Sequence, residues 1–355
     1  MANILEELIY LDNAATTRMD SRVLEGMMPY FLDLFGNASS THKLGEQSKK
    51  AVENSRDKIS SALNCTPSEI IFTSGSTESI NLAIKGFIES NSHKGNHIIT
   101  VKTEHKAVLE TLRYLETKGI EVTYLDVDSD GIISLEELKL SIIDTTLMIV
   151  VMYVNNETGV IQEISKIGEI AKERGICFFS DATQAIGKIE VDVDALNVDM
   201  LCFSGHKING PKGIGVLYKR NGVELTPQIH GGNQEHGLRS GTHNTPLIVG
   251  IGIAMQIASN DLMKNQSKAI ELRGKILEYF SSNNIGKAAF KLDYTVPNII
   301  SIELNNIDAE EFLMLNSYNF YASTGSACNS GLQVKSYVID SIFKNVPKQI
   351  IRISI

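Results

Sequence analysis

The sequence predicts an α/β protein with a mostly parallel central sheet in a large domain and a smaller α+β domain after it. Short apolar runs alternate with amphipathic segments from residue 69 to residue 204, and strands that alternate with helices in this way form parallel sheets covered on both faces. The longest apolar run, residues 147–154, is typical of a central strand that is buried on both faces. The chain has 355 residues, of which 43% are apolar, so it can form one large core and a smaller one.

Strands and helices are predicted in turn along the first two thirds of the chain. The predicted strands are residues 69–73, 97–101, 121–125, 147–154, 177–180 and 200–204. The predicted helices are residues 77–90, 107–117, 135–143 and 164–172. After about residue 245 long helical stretches follow, and then a strand near residues 298–304. We therefore expect a large domain of residues 15–257 and a small domain of residues 1–14 and 258–355.

Composition and charge argue against several classes of protein. Lys and Arg number 33 against 42 Asp and Glu, which gives a formal charge of −9 and no general attraction for nucleic acid or anionic membranes. The longest apolar run falls far short of the ~20 residues that span a bilayer, and the amino-terminal segment lacks the positive-then-apolar pattern of a secretory signal. We expect a cytoplasmic protein that binds neither nucleic acid nor membrane.

The four cysteines have different surroundings in the sequence, and none belongs to a CxxC pair. Cys177 and Cys202 lie within apolar runs and are typical of small core residues, while Cys65 lies in a loop. Cys328 lies in the segment STGSACNSG, whose small and polar residues cannot bury a thiol. One accessible thiol in a reducing compartment fits this pattern better than a disulfide framework does.

A Gly/Ser/Thr segment, FTSGSTE at residues 72–78, lies at a predicted strand-to-helix junction. The amino terminus of a helix presents unpaired N–H groups and a partial positive charge, so it can hold a phosphate. Gly75 would let the backbone approach closely, and Ser76 and Thr77 would add hydroxyl donors. Taken alone, the segment is more simply explained as an ordinary Ser/Thr helix cap.

Two charged residues follow neighbouring predicted strands. Lys207 comes directly after strand 200–204, and Asp181 comes directly after strand 177–180, at the carboxyl ends where α/β proteins bind ligands. A lysine there can form a Schiff base, and a carboxylate can keep a pyridinium ring protonated as an electron sink. Separately they could be a surface lysine and a helix cap. Together with the segment at residues 72–78 they predict a pyridoxal phosphate site.

Longer motifs, in a fixed order, relate the chain to a known family. They are LDNAATT (residues 11–17), FGNASSTH (35–42), FTSGSTESINLAIKG (72–86), TEHKAV (103–108), VNNETGVIQ (154–162), DATQAIGK (181–188), FSGHKINGPKGIG (203–215), HGGNQEHGLRSGT (230–242), GSAC (325–328) and IRIS (351–354). They span nearly the whole chain. The sequence resembles cysteine desulfurases of the NifS/IscS type, in the class V aminotransferase family.

The resemblance implies a fold-type I pyridoxal phosphate-dependent transferase and a homodimer whose subunits both contribute to each site. It implies three catalytic residues: Lys207, which binds the cofactor covalently, His105, which stacks on its ring and helps to move protons, and Cys328, the nucleophile. The other cofactor-binding residues that it implies are Ser76, Thr77, Asn156, Asp181, Gln184, Ser204, His206 and Thr242, the last of which reaches the phosphate of the partner subunit. Arg352, helped by Asn156, would bind the substrate carboxylate.

The implied reaction converts L-cysteine to L-alanine and leaves a persulfide on Cys328. The sulfur would pass to an acceptor protein, such as an iron–sulfur scaffold or a thiolation enzyme. Two alternatives stay open: a selenocysteine lyase or another class V enzyme, and a weakly active scaffold in a sulfur relay. The GSAC motif argues against simple transamination, which needs no thiol nucleophile.

Residues 126–137, DVDSDGIISLEE, match the formula of an EF-hand calcium loop. A strand-like segment precedes them where an EF-hand needs a helix, and there is no second loop to pair with. We expect instead a polar turn between a strand and a helix, with Ser134 as the N-cap and Glu137 at the third helical position. The histidines lack a ligand pattern, so no metal site is predicted.

Overall fold

The computed structural model describes residues 9–324, 336–344 and 348–355. Its strands are β1 (Ile9–Tyr10), β2 (Ile70–Thr73), β3 (His97–Val101), β4 (Glu121–Leu125), β5 (Thr146–Val150), β6 (Cys177–Asp181), β7 (Met200–Ser204), β8 (Gly215–Lys219), β9 (Gly286–Ala288), β10 (Ile299–Leu304), β11 (Phe320–Tyr321) and β12 (Ile350–Ser354). Its helices are α1 (Ser21–Met27), α2 (Pro29–Leu32), α3 (Lys43–Leu63), α4 (Ser76–Asn91), α5 (Lys106–Glu116), α6 (Leu135–Ser141), α7 (Ile164–Arg174), α8 (Thr245–Asn260), α9 (Leu262–Ser282), α10 (Ala309–Leu315) and α11 (Tyr337–Phe343).

A seven-stranded sheet lies at the centre, in the order β2-β8-β7-β6-β5-β3-β4. Strands β7, β6, β5, β3 and β4 run parallel to one another. Strand β8 runs antiparallel to both β2 and β7, so β2 has the same direction as the parallel strands. The prediction of a mostly parallel sheet is confirmed, and β8 is a strand that the sequence analysis did not include.

The predicted strand at residues 147–154 is too long, because β5 ends at Val150. The N–H of Met152 donates to the buried carboxylate of Glu104 rather than to a neighbouring strand. Met152 and Val154 nevertheless remain buried. The apolar run therefore reflects burial beyond the end of the strand.

Both faces of the central sheet are buried. Along β6 and β7, Phe178 and Phe203 belong to one hydrophobic cluster, whereas Phe179 and Cys202 belong to another. Alternate side chains thus enter cores on opposite faces, as expected for parallel strands covered by helices on both sides. Cys177 and Cys202 are buried as predicted.

A separate three-stranded antiparallel sheet has the order β12-β10-β9, and a third hydrophobic cluster includes Phe280, Ile302 and Ile351. Strand β1 pairs in parallel with β11, and Asp12 forms a bridge with Ser354, so the start of the described chain lies against its end. The domain boundaries expected at residues 14/15 and 257/258 stay a prediction.

Among the helices that the structure describes, none is by itself both long and apolar enough to cross a membrane. One pair, α8 and α9, reaches that length and composition only when taken together, and the two helices are bent by 68° from one another.

The polar turn at residues 126–137 has the predicted form. Strand β4 precedes it, and Val127 pairs with Ile133 across the turn. The Ser134 side chain caps α6 by accepting the N–H of Glu137 at 3.2 Å. The prediction of a turn between a strand and a capped helix is confirmed.

Candidate active site

A cavity of about 620 Å³ contains most of the predicted site residues. The predicted residues that line it are Ser76, Thr77, His105, Asn156, Asp181, Gln184, Ser204, His206, Lys207 and Arg352. Thr242 is not among the lining residues and is exposed on a loop. Cys328 lies outside the described residues. A larger groove of about 950 Å³ is lined by parts of the chain such as Lys172, Asp199 and Arg220, and it contains none of the predicted residues that the structure describes.

Lys207 and Asp181 lie at the ends of adjacent parallel strands. Asp181 is the last residue of β6, and Lys207 follows the neighbouring strand β7 by three residues. The Lys207 Nζ donates to the carbonyl oxygens of Ala14 and Ala15 at 2.5 and 2.7 Å. The Asp181 carboxylate is buried and accepts the N–H of Thr183 at 2.9 Å and its hydroxyl. One cavity thus contains a lysine amine and a buried carboxylate on adjoining strand ends.

The Gly/Ser/Thr turn joins β2 to α4 as predicted. Its helix cap is Gly75, whose φ is 156°, and no described side chain caps the helix. The simpler interpretation of the turn as a Ser/Thr cap is therefore wrong. The Ser76 hydroxyl instead lies 2.7 Å from the hydroxyl of Thr183, which also donates to Asp181. Because no side chain caps them, the first amides of this 16-residue helix are suited to an anionic ligand.

Two histidines line the cavity in different electrostatic settings. His105 caps α5, and its Nδ1 accepts the N–H of Ala107 at 3.1 Å, so in the neutral ring the proton is on Nε2. His206 Nδ1 lies 3.1 Å from the hydroxyl of Thr16. Burial, together with the nearby charges of Lys207 and other lysines, lowers the pKa of His206 to about 4. His206 is therefore neutral at pH 7.

Gln184 leaves a buried polar atom in the cavity. Its Nε2 donates to the carbonyl oxygen of Ala14 at 2.8 Å, while its buried Oε1 has no hydrogen-bond partner within the described chain. The Ser204 hydroxyl donates to the carbonyl oxygen of Ile214 at 3.3 Å. An unpaired buried amide oxygen carries a desolvation cost, so the Gln184 amide is suited to bind a polar ligand.

Arg352 reaches the cavity from the three-stranded sheet. It belongs to β12, and its side chain is 2% exposed. Its guanidinium donates to the backbone oxygen of Asn156 at 2.9 Å and to Asp12 at 2.5 Å. A buried guanidinium with its orientation fixed is well suited to a carboxylate ligand.

Several lining residues were missed by the sequence analysis. Glu157 is buried and accepts the hydroxyl of Ser336 at 2.5 Å, and burial raises its pKa against the opposing effects of Ser336 and Arg352. Tyr337 donates its hydroxyl to the backbone oxygen of Glu104 at 2.6 Å. No sequence spacing relates residues so far apart. Thr183, two residues after Asp181, could have been found from the spacing typical of an Asx turn.

The chain is similar to known proteins over nearly its whole length. The aminotransferase class-V family model matches residues 9–355. The chain is 47% identical to cysteine desulfurase IscS of Neisseria meningitidis serogroup C (strain 053442) over 340 residues, 95% of this chain and 84% of that protein. It is 45% identical to cysteine desulfurase IscS of Methanosarcina thermophila over 346 residues, 97% of this chain and 85% of that protein.

Solved structures give the same result. A structure described as a NifS-like protein has a TM-score of 0.91 and 39% identity, over 98% of this chain and 93% of its own. One described as SspA in complex with cysteine has a TM-score of 0.87 and 37% identity, over 98% of each chain. The predicted family resemblance and fold class are confirmed. The chain therefore belongs to the class-V aminotransferase family, among its cysteine desulfurases.

Proposed function

We propose that this chain is a pyridoxal phosphate-dependent cysteine desulfurase, which converts L-cysteine to L-alanine and receives the sulfur as a persulfide on Cys328. The observation that carries the proposal is the presence of Lys207, Asp181 and the uncapped amino terminus of α4 in one cavity. These groups suit, in order, an aldehyde, a ring nitrogen and a phosphate. Few other ligands need all three.

The residues of the cavity fit this cofactor. The first amides of α4, with the hydroxyls of Ser76, Thr77 and Ser204 and the ring of His206, would hold the phosphate, and Asp181 would pair with the ring nitrogen. Gln184 has a buried amide oxygen with no partner in the described chain, and it would contact a ring substituent together with Asn156. When bound, pyridoxal phosphate supplies an electron sink for the pair left at the α-carbon of an amino acid.

Arg352 would bind the substrate carboxylate. Its guanidinium is buried and already oriented by Asn156 and Asp12, so little freedom is lost when a second carboxylate binds. Asn156 lies beside it in the cavity lining. Support for cysteine as the substrate comes from the cysteine-bound structure that the chain resembles.

Lys207 and His105 are the residues proposed to move protons. The Lys207 amine would take the α-proton, since it is the basic group beside the proposed ring position. His105 would stack on the ring, and with Nδ1 bonded to the backbone its Nε2 is the ring nitrogen left to exchange a proton. The neutral state of His206 adds no positive charge next to Lys207.

In the sulfur step, the Cys328 thiolate forms an S–S bond with the substrate sulfur. The C–S bond of the substrate breaks, and its electron pair passes to the β-carbon, which then takes a proton. The sum is Cys328 thiol plus L-cysteine giving Cys328 persulfide plus L-alanine. Burial raises the pKa of Cys65 to about 12 and the pKa values of Cys177 and Cys202 well above the ordinary value. A raised pKa keeps these three thiols protonated at neutral pH, which supports Cys328 as the source of the thiolate.

A homodimer is the proposed assembly, in the cytoplasm. Five large apolar side chains on and near α1 and α2 are exposed, namely Leu24, Met28, Phe31, Leu32 and Phe35, and such a patch is typical of a protein interface. Thr242 is exposed and lies outside its own cavity, which supports the proposal that it reaches the partner subunit's phosphate. The persulfide would pass to an acceptor protein, such as an iron–sulfur scaffold or a thiolation enzyme.

The test is the release of alanine from L-cysteine with dithiothreitol present, for the parent protein and for Cys328→Ala. Cys65→Ala is the matched control, because it removes a thiol outside the cavity. We expect activity in the parent and control and its loss in Cys328→Ala. Equal activity in all three would contradict the role of Cys328, and a parent that releases no alanine from cysteine would contradict the proposed substrate.

A further inference from the structure

The segment of residues 230–243, here called the arm, is part of the connection between β8 and α8 and carries Thr242 near its end. Two of its residues, Glu235 and His236, have positive φ angles of 48° and 57°. Residues with a Cβ rarely adopt this left-handed conformation, because it brings the Cβ too close to the backbone. Contacts elsewhere must therefore stabilise the conformation of the arm.

The Glu235 carboxylate supplies those contacts. Its side chain is 2% exposed, and it accepts both Nη1 and Nη2 of Arg56 at 2.9 Å, the N–H of Phe72 at 2.9 Å and the ring N–H of His243 at 2.8 Å. Burial alone would raise the pKa of Glu235, but these hydrogen bonds lower it to about 2. Glu235 is thus a charged anchor inside the protein.

Two residues of the arm, Glu235 and Arg239, bond to the chain beside the turn that leads into α4. Phe72, bonded to Glu235, comes just before the turn. Glu78, in the first turn of α4, accepts the Arg239 guanidinium of the arm at 2.8 and 3.3 Å and the N–H of Ser74 at 2.9 Å. The arm is therefore fixed to the chain on both sides of the proposed phosphate-binding residues.

We infer that Glu235 is a positioning residue for the phosphate of the cofactor, because it holds the arm against Phe72, directly before the turn at residues 73–78, while Arg239 of the arm holds Glu78 at the end of that turn. This inference rests on the proposed function and deepens it. The turn belongs to the cavity of its own subunit, whereas Thr242 is exposed and proposed to reach the partner subunit. Glu235 thus holds phosphate-binding groups of two sites in one arrangement.

The test compares two probes, pyridoxal phosphate and pyridoxal, which lacks the phosphate. Their affinities for the cofactor-free protein are measured for the parent, for Glu235→Gln and for Glu69→Gln. Glu69 is a matched control, since it is a buried carboxylate that accepts the backbone N–H groups of Thr66 and Asn221 at the other end of β2. In Glu235→Gln we expect affinity for pyridoxal phosphate to fall about tenfold or more, with pyridoxal affinity unchanged.

A second variant, Arg56→Met/Glu235→Met, removes both charges. It is needed because Glu235→Gln leaves the Arg56 cation buried without its partner, which can unfold a protein. The double variant should show the same selective loss for pyridoxal phosphate. An unchanged preference for pyridoxal phosphate, or an equal loss for both probes, would overturn the role of Glu235. A parent that binds both probes equally would overturn the proposed phosphate site itself, so the two failures are distinguishable.

Discussion

Two polar turns follow β4 and β2, the two outermost strands of the central sheet, which run in the same direction, and the polar atoms of the two turns have different partners. The turn at residues 126–137 follows β4 and matches a complete calcium-loop formula. Within the described structure, Lys102 pairs with Asp126 and Lys291 pairs with Asp130, each at 2.7 Å, and Asp128 accepts two backbone N–H groups. The carboxylates of Asp126, Asp128 and Asp130 are thus bound to the protein itself.

The turn at residues 73–78 follows β2 and matches only a loose Gly/Ser/Thr pattern. It begins the long helix α4 with Gly75 as the cap, so no described side chain occupies the first amides of the helix. In contrast, Ser134 caps the short helix α6. The comparison teaches that a motif becomes a ligand site only when the fold leaves its polar atoms available.

Lys207→Ala should give the largest effect on the rate of alanine release. Removal of the amine takes away the proposed covalent attachment and the proposed base, so we expect alanine release to fall by about 10³-fold or more. Lys102→Ala, at the other turn, should leave the rate unchanged. The rate of alanine release is measured for both variants, and circular dichroism checks that both are folded. Similar rates in the two variants would contradict the proposed difference between the two turns.

Asp181→Asn should lower kcat by roughly 10²-fold, because the neutral amide no longer favours a protonated ring nitrogen. The side chain keeps its shape and can still accept the Thr183 N–H, so the melting temperature should change little. Steady-state kinetics at saturating cofactor is the measurement. If the variant has the same kcat as the parent, Asp181 does not pair with the ring nitrogen of the cofactor.

Asp128→Ala should lower the free energy of unfolding by about 1–2 kcal/mol, because two backbone N–H groups lose their acceptor. The rate of alanine release should not change. Urea denaturation measures the free energy of unfolding, an assay of alanine release measures the rate, and differential scanning calorimetry with and without calcium measures the melting temperature. A calcium-dependent rise in the melting temperature of the parent, absent from the variant, would mean that this turn is a metal site after all.

His206→Asn should give the smallest effect on stability, which is seen as a change in the pH dependence of unfolding. The pKa of His206 is about 4 in the folded chain against an ordinary 6.5, so the unfolded chain takes up the proton first as the pH falls. The stability contributed by neutral His206 is complete above about pH 6.5 and is lost towards pH 4. Urea denaturation at pH 7 and pH 4.5 should show a greater loss in the parent than in the variant. Equal losses would contradict the lowered pKa.

Much of the fold could be predicted from the sequence, because apolar periodicity reports which segments are buried. Prediction from apolar periodicity fails at residues 151–154, which remain buried although β5 has ended. The N–H of Met152 there donates to Glu104 instead of to a neighbouring strand. Strand β8 was missed although it is apolar. Its antiparallel pairing with β7 joins segments that are close in the sequence, but its pairing with β2 depends on contacts between distant parts of the chain.

The site could be predicted where its residues follow strands in recognisable motifs, as Lys207 and Asp181 do. The contacts that fix those residues could not be, because they join distant segments: Glu235 with Arg56, Arg239 with Glu78, and Ser336 with Glu157. Hydrogen bonds across more than 100 residues leave no local pattern. Sequence reasoning therefore finds reactive groups more readily than the residues that hold them.

The proposal that the cavity binds pyridoxal phosphate through Lys207 can be tested by trapping the covalent link. The protein is incubated with pyridoxal phosphate, reduced with borohydride to make any covalent link permanent, digested and examined by mass spectrometry. We expect the peptide containing Lys207 to carry the cofactor, and the corresponding peptide of Lys207→Ala to carry none. Labelling mainly at another lysine, such as Lys212 or Lys188, or no label at all, would contradict it.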